Sequence, residues 1–191
     1  MEIGLFFGSF NPIHLGHVVI AQYALNETEL SEVWLVVSPH NPHKNKKGLL
    51  DERTRLHLVD LALEPHPGLR SSSIEFGLPR PSYTVLTLAA LREKHPEHRF
   101  SLIVGADNAQ GLEGWRDGPR ILENHRVWVY PRGEFRPPAP LPHASMQWLD
   151  APLMELSSTY IRGAIQQGKN PSAMLSERVW AYVEHNGLYR R

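Results

Sequence analysis

Two histidines three residues apart, His14 and His17, stand in a turn that an apolar run, Ile3 to Phe7, leads straight into. Imidazoles at this spacing donate hydrogen bonds to phosphate oxygens whose charge grows in a transition state. The full turn reads Gly8-Ser9-Phe10-Asn11-Pro12-Ile13-His14-Leu15-Gly16-His17. Gly8 and Gly16 let backbone come close to a ligand or to a sheet, and the Ser9 hydroxyl can bond phosphate. A helical pattern follows in Leu15, Val18, Val19, Gln22 and Leu25. A helix that starts here offers unpaired N–H groups and the positive end of its dipole to the same anion. Two other readings exist for the histidines. They could simply cap the helix, or they could be half of a zinc site. No third ligand is fixed nearby, so no protein-held metal is expected.

A second stretch, Ser157-Ser158-Thr159-Tyr160-Ile161-Arg162, joins N-cap residues to a cation in the first helical turn. Capping explains the hydroxyls. It does not explain Arg162, because a helix N-terminus favours acids; a cation there suggests an anion beside it. Three further segments carry polar chemistry. Pro42-His43-Lys44 lies in a basic loop after the strand expected at 33–37, where Lys44 can meet phosphate as a mobile point charge or belong to a solvated run. Gly105-Ala106-Asp107 follows the strand expected at 99–104. Asp107 is placed to accept from ribose hydroxyls or to cap a short helix. Trp115 offers a stacking platform for a flat ring or a core anchor. Pro81-Ser82-Tyr83-Thr84 opens a helix, with Tyr83 able to stack on a ligand ring and Thr84 able to present a backbone N–H or hydroxyl.

These residues need a scaffold that delivers them to one edge. Strand-like runs at 2–7, 33–37, 70–75, 99–104, 126–130 and 145–149 alternate with helical runs at 15–27, 51–63, 82–95, 107–112, 118–123, 158–168 and 176–186. Such alternation predicts an α/β fold with a doubly wound, largely parallel sheet and a small C-terminal helical part. Residues 1–191 are expected to form one domain. In an open sheet of this kind, ligands bind at the carboxyl ends of the strands. The proline-rich segment 131–144 reads as a surface connector, and 38–50 as a loop that closes over substrate.

Composition narrows the classes. Lys+Arg and Asp+Glu are 20 each, so no global field draws in nucleic acid or an anionic membrane. With no cysteine, disulfides and thiolate catalysis are excluded. No apolar stretch approaches the ~18 residues of a membrane helix, and the N-terminal run reads as a strand rather than a signal peptide. A cytoplasmic enzyme is expected.

The turn at 8–17 meets every fixed position of Gly-x-Phe-x-Pro-x-His-x-Gly-His, and on it the chain resembles the nucleotidyltransferase superfamily, with its Rossmann-like fold. Leu156 to Arg162 resembles that superfamily's Ile-Ser-Ser-Thr-x-Ile-Arg motif, with Leu156 for the leading Ile. Adding Pro42-His43-Lys44, Glu52-Arg53, Pro81-Ser82-Tyr83-Thr84, Gly105-x-Asp107 with Trp115, and Gly187-Leu188-Tyr189, the chain is similar to bacterial nicotinate-nucleotide adenylyltransferases over nearly its whole length.

The resemblance implies that nicotinate mononucleotide and ATP give nicotinate adenine dinucleotide and pyrophosphate, with Mg²⁺ carried on ATP. It implies catalytic roles for His14, His17, Lys44 and Arg162. It places Gly8, Ser9, Phe10, Gly105, Asp107, Ser158 and Thr159 with ATP, and Tyr83, Thr84, Trp115 and Lys44 with the mononucleotide. The segment Glu75-Phe76-Gly77-Leu78-Pro79-Arg80 departs from the family pattern, in which an Arg or Lys stands two residues before Pro-Ser-Tyr-Thr. Rival nucleophiles are phosphopantetheine, flavin mononucleotide and nicotinamide mononucleotide; Tyr83 and Trp115 argue against the first two. A regulator that has lost catalysis is opposed by the intact cationic set, and a tRNA-synthetase fragment by the chain's length.

Overall fold

The computed structural model describes residues 1–39, 48–137 and 139–190. Six strands form one sheet: β1 (Glu2–Gly8), β2 (Glu32–Val37), β3 (Leu69–Ser72), β4 (Arg99–Gly105), β5 (Val127–Tyr130) and β6 (Met146–Trp148). Every pairing is parallel, in the order β3-β2-β1-β4-β5-β6. The chain winds outward from β1 to β3 and then returns to lay β4 on the other side of β1. The strand order therefore reverses between β1 and β4, and the crevice beyond their carboxyl ends is the natural ligand site of such a sheet.

The helices are α1 (Leu15–Glu27), α2 (Glu52–Leu63), α3 (Thr84–Lys94), α4 (Ala106–Ala109), α5 (Gly118–Asn124), α6 (Ser158–Gln166) and α7 (Glu177–His185). They cover both faces of the sheet, which is why β1, β2 and β4 read as nearly continuous apolar runs. Alternate residues of each strand go to opposite faces. Phe6, Leu35 and Ile103 join α1, α2, α6 and α7 in one core. Leu5, Val36, Leu102 and Val104 join α3 and α5 in the other. No helix among the described residues is long and apolar enough to cross a membrane.

Two expectations shift. The strand expected over 70–75 stops at Ser72, and Ile74–Gly77 form a 3₁₀ turn instead. The turn buries Glu75, whose Oε1 accepts from Thr87 Oγ1 of α3 at 2.8 Å. A buried carboxylate needs donors, and here one lies on a helix rather than on a neighbouring strand. The helix expected at 107–112 is split into α4 and a 3₁₀ turn at Leu112–Gly114.

Candidate active site

The β1–α1 turn is built inward from its backbone. Phe10 has a left-handed φ of +46° and is buried, its ring folded back beneath the end of β1. A Cβ on Gly8 would lie 2.7 Å from that ring, so only glycine fits. The Phe10 ring meets the His17 ring edge-on at 5.0 Å. This relocates the expected contribution of Phe10: its side chain supports His17 from the core, and only its backbone is left for a nucleotide.

His14 caps α1 and lies face to face with His17, ring centroids 3.7 Å apart. The His14 backbone N–H donates to His17 Nδ1 at 3.2 Å, which puts the proton of a neutral His17 ring on Nε2. His14 is buried, and its Nδ1 has no hydrogen-bond partner. Burial, helped by the positive charge of Arg132, pulls its pKa down from 6.5 to about 4. No acidic residue occupies the first turn of α1. The helix therefore begins beside these two imidazoles, with no acid in its own first turn to offset the positive end of its dipole.

Helix α6 abuts this turn from the far end of the sequence. Ser157 Oγ caps it by accepting from Tyr160 N at 3.1 Å. Ser158 Oγ donates to Pro12 O at 2.9 Å, and Arg162 Nη1 donates to Asn11 O at 2.8 Å. Arg162 Nη2 also reaches Thr159 Oγ1 at 3.4 Å. The N-termini of α1 and α6, the imidazole pair and one guanidinium are thus assembled around a single turn.

At the end of β4, Asp107 Oδ2 forms an ion pair with Arg132 Nε at 3.3 Å. A Cβ on Gly105 would stand 2.6 Å from Asp107 Oδ1 and 3.1 Å from both Arg132 Cδ and the Tyr130 hydroxyl. Glycine is what lets these groups converge. A cavity of about 350 Å³ opens beside them, lined by Asp107, Arg132, Phe135, Met154, Leu156 and Ser157. The start of segment 131–144 is therefore a wall of the site as well as a connector.

Tyr83 and Trp115 occupy the other side of β4. Tyr83 caps α3 without a side-chain capping bond, so the first amides of the helix that Thr84 begins receive no side-chain bond from their cap. The guanidinium of Arg116 lies over the Tyr83 ring, 4.9 Å from its centre. Trp115 is half-buried against the apolar cluster that contains Leu112 and Ile121, more anchored than an open platform. Ser9 is half-buried, and its carbonyl accepts from Arg55 Nη1 at 2.6 Å. Lys44, with Pro42 and His43, lies outside the described residues.

The sequence reading missed the residues that hold this arrangement in place. Arg55 is fully buried and donates to Ser9 O, Ser38 O, Pro39 O and Leu50 O. Asn11 Nδ2 donates to Gly48 O at 2.9 Å, and its Oδ1 accepts from Leu50 N and from the Tyr189 hydroxyl. Together Arg55 and Asn11 tie the motif turn to both ends of the segment that carries Lys44. The signal for Arg55 was available: it shares a helical stripe with Leu58, Val59 and Ala62, where an unpaired cation has no place. Arg116 and Arg132 carried no such pattern, and Tyr189 was read only as part of the closing Gly187-Leu188-Tyr189, without its contact to Asn11.

A parallel sheet reversing at β1/β4, with two helix N-termini and a histidine pair at that crevice, defines a nucleotidyltransferase of the α/β type. The cytidylyltransferase-like family profile matches residues 5–164. A probable nicotinate-nucleotide adenylyltransferase of Flavobacterium johnsoniae is 48% identical over the whole of both chains. One from Bacteroides fragilis is 43% identical over 100% of this chain and 90% of that protein. The chain belongs to the nicotinate-nucleotide adenylyltransferase family. Its fold is shared by the Plasmodium falciparum nicotinic acid mononucleotide adenylyltransferase complexed with NaAD, with a TM-score of 0.82 at 17% identity over 98% of this chain and 97% of that one. A putative nicotinate-nucleotide adenylyltransferase from Vibrio parahaemolyticus superposes with a TM-score of 0.74 at 23% identity, covering 100% and 96%.

Proposed function

We infer that the protein joins nicotinate mononucleotide to the AMP part of ATP, giving nicotinate adenine dinucleotide and pyrophosphate. The observation that carries this reading is the docking of α6 on the motif turn, which gathers His14, His17, Ser158, Thr159 and Arg162 within one anion-binding corner. The cavity beside Asp107 and Arg132 suits the nucleoside part of ATP, with Asp107 accepting from ribose hydroxyls and Gly105 leaving room for them. Tyr83, Thr84, Trp115 and Arg116 are the candidates for the pyridine nucleotide, and Arg116 adds a charge that favours an acid ring over an amide.

The nucleophile is a phosphate oxygen of the mononucleotide, already anionic near neutral pH, so no general base is required. That oxygen attacks the α-phosphorus of ATP in line, the bond to the bridging oxygen breaks, and pyrophosphate leaves with the electron pair. The residues supply position and charge. His17 Nε2–H and the Arg162 guanidinium donate to phosphate oxygens, and the first amides of α1 and α6 add fixed dipoles. Lys44 is assigned the role of a further cation at the phosphates. Mg²⁺ favours carboxylate oxygens and water, and Asp107 is already paired with Arg132. The ion therefore enters as part of the substrate, MgATP.

Pyrophosphate release with MgATP, run in parallel with nicotinate mononucleotide, nicotinamide mononucleotide and phosphopantetheine, tests the assignment. Release with the acid well above the amide is expected. Equal use of acid and amide would replace the acid preference with dual specificity. Release with phosphopantetheine alone would overturn the pyridine site.

A further inference from the structure

A second constellation lies at the opposite end of the sheet. Helix α3 stops at Lys94, and the turn His95-Pro96-Glu97-His98 leads into β4. Since β4 is 7 residues long, this turn is roughly 20 Å from Gly105 at the nucleotide edge. His98 Nε2 is 3.2 Å from Glu97 Oε1, and His95 Nδ1 is 3.9 Å from the same oxygen. One donor atom from each of the three residues lies within 4.8 Å of the other two.

We propose that His95, Glu97 and His98 form a binding site for a divalent cation of borderline softness, zinc foremost, distinct from the nucleotide site. Zinc at ~2.0–2.1 Å from each ligand in a tetrahedron needs donor atoms ~3.4 Å apart. The separations from Glu97 Oε1, 3.2 and 3.9 Å, bracket that value, and all three donors lie within 4.8 Å of one another, so side-chain rotation without backbone movement would bring them onto one ion. Two imidazoles and one carboxylate are also a ligand set that zinc takes with water in the fourth position. Affinity order among first-row ions further favours copper and zinc over manganese or iron at imidazole sites.

The donors are held before any ion arrives. His95 N donates to Leu91 O at 2.8 Å, which ends α3, and His98 N donates to His95 O at 3.1 Å, which closes the turn. The two imidazole planes are parallel within 5°, with ring centroids 5.5 Å apart. The Trp34 ring meets both of them edge-on, at 5.3 and 6.2 Å. Trp34 is itself fixed, with Nε1 donating to Glu32 Oε2 at 2.7 Å while Glu32 Oε1 pairs with Arg70. His98 Nδ1 is buried without a hydrogen-bond partner, which leaves Nε2 as the atom turned toward Glu97. Glu97 Oε1 lies within 4 Å of a nitrogen of each imidazole, and a bound ion would turn the two stacked rings toward one centre. A bound ion would fasten the end of α3 to the start of β4.

The test uses tag-free, chelator-stripped protein and Zn²⁺ in competition with a chromophoric chelator, alongside thermal unfolding. Wild type is expected to take up about one Zn²⁺ per chain, with an unfolding temperature that rises and saturates. Glu97→Gln and His98→Asn should each weaken uptake by roughly a hundredfold and abolish the rise, while adenylyl transfer stays at the wild-type rate. Unchanged uptake in both variants would place the zinc elsewhere, for instance on the His14/His17 pair, and overturn the site. Co²⁺ added to wild type gives a check that needs no variant. Intense visible bands of four-coordinate cobalt, lost on adding Zn²⁺, are expected; the weak spectrum of six-coordinate, water-bound cobalt would overturn the proposal.

Discussion

Arg162 and Asn11 are 151 positions apart in the chain, and the Arg162 guanidinium donates to the Asn11 carbonyl at 2.8 Å. That bond seats α6 on the β1–α1 turn, while Nη2 of the same guanidinium reaches Thr159 Oγ1 at 3.4 Å. One side chain therefore joins the two motifs and adds the positive charge to the corner they make.

Removing it should separate positioning from stability. Arg162→Ala is expected to lower turnover by about 10²–10³-fold, the usual effect of deleting a donor to developing charge. The loss in folding stability should be only ~1–2 kcal/mol. Arg162→Lys should recover the charge but not the fork, and so only part of the rate. Steady-state kinetics with urea denaturation measure both, and near-normal turnover of the alanine variant would remove the catalytic role.

For His17→Ala the expected outcome is a fall in turnover of about 10²-fold or more with the fold intact. The ring sits over Phe10 and His14 rather than in the core. Circular dichroism and pyrophosphate release decide it; a folded variant with wild-type turnover would contradict the assignment.

His14 links pH to stability. Its folded pKa of about 4 lies below the ordinary 6.5, so the unfolded chain binds more protons between those values. Stability should accordingly rise with pH from about 4 to 6.5 and be fully present above that window. The contribution is on the order of 3 kcal/mol. Denaturation series at several pH values for wild type and His14→Gln should show this slope in wild type alone. Phosphate arriving beside the ring should also draw a proton onto it. Titration of ATP in buffers of different ionisation enthalpy, near pH 6, should then register proton uptake.

Arg55 is a positioning residue. Arg55→Leu strands four carbonyls and should destabilise the protein by ~3–5 kcal/mol, as breaking a buried charged network does. Arg55→Lys keeps the charge with fewer donors. Among folded molecules it should raise KM for ATP more than it lowers kcat, because the groups it holds belong to the motif turn and to the ends of the Lys44 segment. Unchanged KM in a folded lysine variant would restrict Arg55 to stability.

Gly105→Ala introduces a Cβ 2.6 Å from Asp107 Oδ1. The carboxylate must swing away from Arg132. KM for ATP should rise by about tenfold, ~1.4 kcal/mol, with KM for the mononucleotide nearly unchanged. Equal effects on both substrates would argue against a nucleoside site at Asp107.

Much was fixed by local sequence. Apolar runs marked β1, β2, β4 and β5, because burial on both sheet faces forces continuous hydrophobic runs, and capping residues marked the starts of α2, α6 and α7. The phosphate corner proposed for the two motifs was legible from residue types alone, since glycine permits close backbone approach and His14, His17 and Arg162 carry donors whatever surrounds them. What only the tertiary structure decided is how distant parts meet. The apolar stripe of α2 marks Arg55 as facing inward, but its partners, four carbonyls, are set only once β1, β2 and α2 converge. Phe10 looks like part of a ligand motif, and its ring turns out to underlie His17. Tyr189 reaches Asn11 across 178 positions, and His95 and His98 share one carboxylate only because a turn folds them side by side. Hydrophobic periodicity is a property of neighbours along the chain. The partner of a buried polar atom is set by which elements close around it.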